Sequence, residues 1–266
     1  MTAPIRFGYA DTSRGQVHYA ESGPEDEGRS APTVLLFHQS PRSWDEYREV
    51  LPLLGRTHRA IAMDTIGYGH SAPVPDHSIE TYADVAIEFA RVLRLDRVTA
   101  VGHHTGALVA LEVAVQAPSL VSGLVLSSAP YYDEAARAHA HTAIDDAGFD
   151  ADGSHLVRLW GRRAPYYPAD RPDLMSRFVR DALAAGDGAV EGHLACHRYP
   201  VEQRSPLVTC PVLCIGASAD PFAFPNTGRV AAGFADARTA VIEGGMIPLM
   251  EHRPDDAAKL IAEFAS

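Results

Sequence analysis

No apolar run in the 266 residues approaches the roughly 20 that a membrane span requires, and the start, MTAPIRFGYADTSRG, lacks the charged-then-apolar pattern of a signal peptide. Both absences predict a cytoplasmic protein. A basic cluster is missing too: 23 Lys and Arg against 34 Asp and Glu leave a net charge of −11 spread along the chain. That balance argues against nucleic acid or an anionic membrane as partner. Cysteine is scarce and odd in number. Cys196, Cys210 and Cys214 form no C-x-x-C pair, so neither a disulfide framework nor a zinc ribbon is expected, and the two in CPVLCIG read as small buried hydrophobes. Internal repeats and low-complexity linkers are absent.

What is present is alternation. The composition, 46% hydrophobic and 21% charged, allows one large domain or one domain with an insertion. Apolar or β-branched runs (QVHYAESG, TVLLFHQ, RAIAMDT, RVTAVGHH, GLVLSSA, PVLCIGA, TAVIEGG) take turns with amphipathic stretches (SWDEYREVLPLLG, SIETYADVAIEFARVLRL, TGALVALEVAVQAP, NTGRVAAGF, RPDDAAKLIAEFA). This is the pattern of a mostly parallel, twisted sheet covered by helices on both faces. In the second helix Tyr82, Val85, Phe89 and Val92 recur at three- and four-residue steps, with Ser78 as N-cap. The rhythm breaks from Tyr131 to Gln203, where stretches such as DEAARAHAHTAIDDAG and PDLMSRFVRDALAAG contain no convincing strand. A core of residues 1–130 and 204–266 with a helical cap, 131–203, inserted between GLVLSSA and PVLCIGA accounts for this.

This order resembles the α/β-hydrolase fold over essentially the whole chain. FHQSP resembles the family's oxyanion-hole loop, and AMDTIGYGHSAP the turn after the next strand, with Asp64, Gly67 and Gly69 shaping it. GHHTG is similar to the nucleophile elbow G-x-S-x-G in both glycines and in its strand-turn-helix setting. IGASADPF and IEGGMIPLMEHRP resemble the two late loops that carry the acid and the histidine of the triad. The departures bear on chemistry. The elbow centre is His104, the triad histidine position is Met246, and the oxyanion loop has His38-Gln39 where His-Gly is usual; the acid, Asp220, is retained.

A serine triad needs both the hydroxyl and the histidine that takes its proton, so that route is closed. An imidazole reaches further than a hydroxymethyl group, and Met246 leaves room for it. His104 is therefore expected to lean on Asp220 as a dyad, the carboxylate fixing the tautomer and raising the basicity of the free ring nitrogen. As general base it would activate water against an ester, lactone, epoxide or similar bond, with the backbone N–H groups of Thr105 and of Gln39-Ser40 as oxyanion hole. Other routes are an acyl-imidazole on His104, a nucleophilic Thr105 hydroxyl, and proton transfer in a lyase, decarboxylase or isomerase. A catalytically silent small-molecule binder is a further alternative.

Around this centre the sequence places pocket residues. His38 and His103 flank the motifs, although His103 precedes the elbow centre and should point elsewhere. Tyr131, Trp160, Tyr166, Tyr167, His193 and His197 come from the insertion, and Phe222 and Met246 from the late loops. They suggest a largely apolar, uncharged, small-molecule substrate. His193 and His197 are four apart, yet without the glutamate of a zincin or a third ligand no metal is expected, and no cofactor. His18, His58, His77, His155 and His252 read as solvated or hydrogen-bonded without function. The sequence leaves a homodimer open.

Overall fold

The computed structural model describes residues 3–24, 31–139 and 148–266. Eight strands form one sheet: β1 (Arg6–Thr12), β2 (Gly15–Ser22), β3 (Thr33–Phe37), β4 (Arg59–Met63), β5 (Val98–His103), β6 (Val121–Ser127), β7 (Val212–Ala217) and β8 (Ala237–Ile242). Their spatial order is β1-β2-β4-β3-β5-β6-β7-β8. β1 pairs with β2, and β2 with β4, antiparallel; the remaining pairings are parallel. The central strands are apolar runs because helices cover both faces. Val34, Leu35, Leu36 and Phe37 of β3 are all fully buried, each contributing about 1.5–3 kcal/mol of hydrophobic stabilisation.

The sequence pattern missed β1. Of its seven residues only Ala10 is buried; Phe7 and Tyr9 share a face but stay exposed, and Gly8 stands between them, so the short strand does not read as one. Helix Ile79–Val92 starts as expected, with Ser78 Oγ accepting from the Thr81 N–H at 3.1 Å, and it buries Tyr82, Val85 and Phe89. Val92 departs from that face: it is 44% exposed, at the last residue of the helix.

The chain leaves β3 for β4 on one side and returns to β5 on the other. At such a reversal the C-terminal ends of neighbouring parallel strands open a crevice, which is where open α/β sheets bind ligands. The loop bearing Gln39 and Ser40 leaves β3 there, and His104 leaves β5.

Between β6 and β7 the described chain forms helices Glu134–Arg137, Ser154–Arg163, Pro172–Ala185, Gly188–Arg198 and Val201–Arg204, with no strand among the described residues. The helix read at 133–148 is seen over Glu134–Arg137; residues 140–147 of it lie outside the described residues. Leu159, Tyr167, Leu174, Met175, Phe178 and Ala182 give this segment its own small core. Charge joins it to the sheet. Buried Arg42, just after β3, donates to Asp181 at 2.9 Å and to both oxygens of Glu251 at 2.5 and 3.0 Å. Arg177 reaches Asp45 and Glu49, each at 2.7 Å. No helix among the described residues is long and apolar enough to cross a membrane.

Candidate active site

The turn from β5 into helix Thr105–Gln116 is tight because two glycines make room for it. A Cβ on Gly102 would meet the Gly106 carbonyl oxygen at 2.0 Å, and one on Gly106 would meet the Phe37 carbonyl oxygen at 2.0 Å. Between them His104 takes φ 46°, ψ −116°, a conformation that costs a non-glycine residue about 1–3 kcal/mol and projects its side chain from the turn.

That side chain meets Asp220, which follows β7. His104 Nε2 lies 2.8 Å from Asp220 Oδ2. Both atoms are buried and neither makes a hydrogen bond to a described residue, so the two groups meet at close range without the alignment of a hydrogen bond. The other carboxylate oxygen accepts the N–H groups of Phe222 at 3.0 Å and Ala223 at 3.2 Å, which fixes the carboxylate orientation. Burial alone would raise the Asp220 pKa, but the His104 charge and these N–H groups overcome it and hold the group well below the usual carboxylate range. His104 Nδ1 makes no hydrogen bond to any described residue.

His104 lines a cavity of about 250 Å³, small against the roughly 300–1,000 Å³ of drug-sized sites. Ser40, Thr105, Tyr131, His193 and Phe222 line it as the sequence suggested, and so does Gln39. Gln39 nonetheless cannot serve as an oxyanion donor through its backbone. Its N–H donates to Glu46 Oε2 at 2.8 Å and its side-chain amide to Oε1 at 2.6 Å, so the buried carboxyl takes both donors. The N–H groups of Ser40 and Thr105 remain, neither bonded to a described residue.

Other expected pocket residues lie elsewhere. His38 is buried beneath the loop, donating through Nδ1 to the Gln39 carbonyl at 2.8 Å and accepting the Thr65 N–H at Nε2. His103 sits behind the elbow. Its Nε2 donates to the Ile247 carbonyl at 2.8 Å while Nδ1 accepts from the Ser127 hydroxyl at 3.0 Å, and burial with the adjacent His104 ring keeps it neutral. Met246 is half-buried and it is Ile247, the next residue, that lines the cavity. Tyr167 packs on Phe178 within the helical core, Tyr166 lies edge-on to Phe222, and Trp160 is 37% exposed. His197 Nε2 bonds the Ala136 carbonyl at 3.1 Å, and His197 does not line the cavity that His193 lines.

Sequence reasoning missed Tyr132, Arg163, Cys196 and Asn226, all of which line the cavity. Arg163 had a readable signal, because it falls four residues after buried Leu159 on the inner face of its helix. Burial pushes the Cys196 thiol up to about 12, so it is an inert wall. Elsewhere His18, Asp64 and His70 bring ligand atoms within 4.8 Å of one another, but Asp64 already accepts from His18 Nδ1 and from the Trp44 and His70 N–H groups. That cluster shapes the loop after β4.

Comparison with known proteins agrees with this architecture. The chain is 31% identical over 119 residues to epoxide hydrolase 2 of Caenorhabditis elegans, covering 44% of this chain and 32% of that protein. It is 32% identical over 127 residues to haloalkane dehalogenase 2 of Mycobacterium tuberculosis, covering 47% and 42%. The chain thus spans less than half the length of these curated relatives. Its fold superposes on the enol-lactonase from Burkholderia xenovorans with a TM-score of 0.78 at 20% identity, over 97% of this chain and 99% of that one. The model of the alpha/beta hydrolase fold family matches residues 32–252, and the chain belongs to that family.

Proposed function

We propose that the protein is a cofactor-independent hydrolase of a small organic ester, lactone, epoxide or similar molecule, with His104 as general base and Asp220 as its partner. The observation that carries this reading is the 2.8 Å approach of Asp220 Oδ2 to Nε2 of a histidine that is held at the elbow centre and lines the cavity. With the proton of the neutral ring on Nε2, Nδ1 keeps its lone pair and can take a proton from water as the water attacks. The N–H groups of Ser40 and Thr105 would stabilise the oxygen that gains charge. With no hydroxyl, thiol or carboxylate at the elbow centre, an ester intermediate on that residue is closed, and because an acyl-imidazole is labile the direct attack of water is the favoured route. Residues 131–203 act as the cap that closes the crevice.

The named activities of the relatives, an epoxide hydrolase, a haloalkane dehalogenase and an enol-lactonase, support a hydrolytic reading. The test is a panel of activated esters, lactones and epoxides assayed with wild type and His104→Ala. Turnover that falls by about 10²- to 10⁴-fold in the variant is expected of a general base. Absent turnover, or turnover indifferent to the substitution, overturns the reading.

A further inference from the structure

We infer that Tyr68 is a positioning residue: its hydroxyl fastens helix Gly188–Arg198 of the cap to the loop after β3, and so holds the Ser40 N–H where the reaction needs it. This rests on the reading that this N–H stabilises the oxygen that gains charge. Tyr68 comes from the loop after β4, is 3% exposed and does not line the cavity. Its hydroxyl donates to the carbonyl of Gly188, the first residue of the cap helix, at 2.8 Å. It accepts from Ser40 Oγ at 3.2 Å, and the Tyr82 hydroxyl lies 3.1 Å away. A tyrosine hydroxyl carries one proton, and the Gly188 carbonyl takes it, so Tyr82 donates to Tyr68 and in turn accepts from Nδ1 of His77 at 2.6 Å. One buried hydroxyl thus joins three separate elements: the loop after β3, the cap helix and helix Ile79–Val92.

Packing enforces the same contact. A Cβ on Gly192, one turn into the cap helix, would meet Ser40 Oγ at 2.2 Å and the Tyr68 hydroxyl at 2.3 Å, so a glycine there lets the helix close on this pair. The loop is also tied to the core, where Glu46 takes the Gln39 N–H. Gln39 is therefore held by the core and Ser40 by the cap, and the peptide between them carries the oxyanion N–H. The Tyr68 ring packs edge-on against His38 and Tyr82, so a phenylalanine would fill the same space and lose only the hydrogen bonds. That loss would leave the Gly188 carbonyl and the Ser40 hydroxyl without their partner, which favours release of the cap helix from the loop.

Amide hydrogen exchange and turnover on the ester, lactone and epoxide panel, measured on wild type, Tyr68→Phe and Gly192→Ala, test this. Exchange in helix Gly188–Arg198 is expected to quicken about tenfold in both variants, while helix Pro254–Ala265, which takes no part in the contact, keeps its wild-type rates. The kcat should fall about 10- to 100-fold with KM unchanged, because a misplaced oxyanion donor weakens the transition state and not the bound substrate. Unchanged exchange in the cap helix, equal acceleration in both helices, or a KM that rises while kcat holds would each overturn the proposal. If wild type turns over no compound of the panel, the hydrolytic reading fails and exchange alone decides whether Tyr68 fastens the cap to the loop. If Tyr68→Phe does not fold, Gly192→Ala, which disturbs the same contact from the cap side, decides in its place.

Discussion

Asp220 Oδ2 lies 2.8 Å from Nε2 of His104, the ring nitrogen farther from the backbone. In a serine triad the carboxylate holds Nδ1 and leaves Nε2 to the substrate. Here the carboxylate lies at Nε2, and the proposed base is Nδ1, on the side of the ring nearer the backbone and the turn whose Thr105 N–H is the candidate oxyanion donor. Nitrogen-15 NMR of the free protein should show Nε2 protonated and Nδ1 pyridine-like when the ring is neutral. The opposite tautomer would contradict this arrangement.

Glu46 gives the loop after β3 a pH dependence. Burial pushes its carboxyl up to about 8, with Arg42 opposing the shift and Glu251 adding to it. The folded value lies above the ordinary 4.5, so between those two pH values the folded chain holds a proton that the unfolded chain has released. Stability therefore falls as pH rises through that window, by at most ~1.4 kcal/mol per pH unit from this group. Urea unfolding between pH 5 and pH 8 should show Glu46→Gln lacking this slope; parallel curves for variant and wild type would refute it.

Glu251 neutralises Arg42 where no water reaches either. Removing it leaves a fully buried guanidinium short of its bidentate partner, so Glu251→Ala should cost about 3–5 kcal/mol in urea unfolding. A loss below ~1 kcal/mol would mean the surrounding acids, Asp181 and Asp45, suffice.

Gly106 is irreplaceable for a steric reason. The 2.0 Å approach of an added Cβ to the Phe37 carbonyl forces the helix or the end of β3 to move, so Gly106→Ala should lose about 1–3 kcal/mol. Turnover should fall with it, because both candidate oxyanion donors ride on those two segments. Thermal unfolding and turnover measured on the same preparation check the pairing; an unaltered midpoint would argue against it.

The elements most legible in the sequence were those whose burial repeats. TVLLFHQ and PVLCIGA carry apolar residues on both faces, and GHHTG fixes its turn by two glycines, so the central strands and the elbow could be read directly. β1 was hidden because its alternation is limited to Phe7 and Tyr9, around Gly8, and only Ala10 is buried. The His104 to Asp220 approach was anticipated from reach and vacancy, while the details of the wall were not. Nothing local distinguishes Met246 from Ile247 as the residue facing inward, and the loss of the Gln39 N–H to Glu46 depends on a short helix seven residues on. Arg163 fell within a polar helix whose inner face is marked by a single leucine.

The central claim is that His104 and Asp220 act as one unit, and a double-mutant cycle on a substrate from the panel tests it most directly. Turnover should fall by about 10²- to 10⁴-fold in His104→Ala, fall substantially in Asp220→Asn, and fall no further in the double variant than in His104→Ala alone. Wild-type turnover in His104→Ala, or losses in the two single variants that simply multiply, would contradict the account.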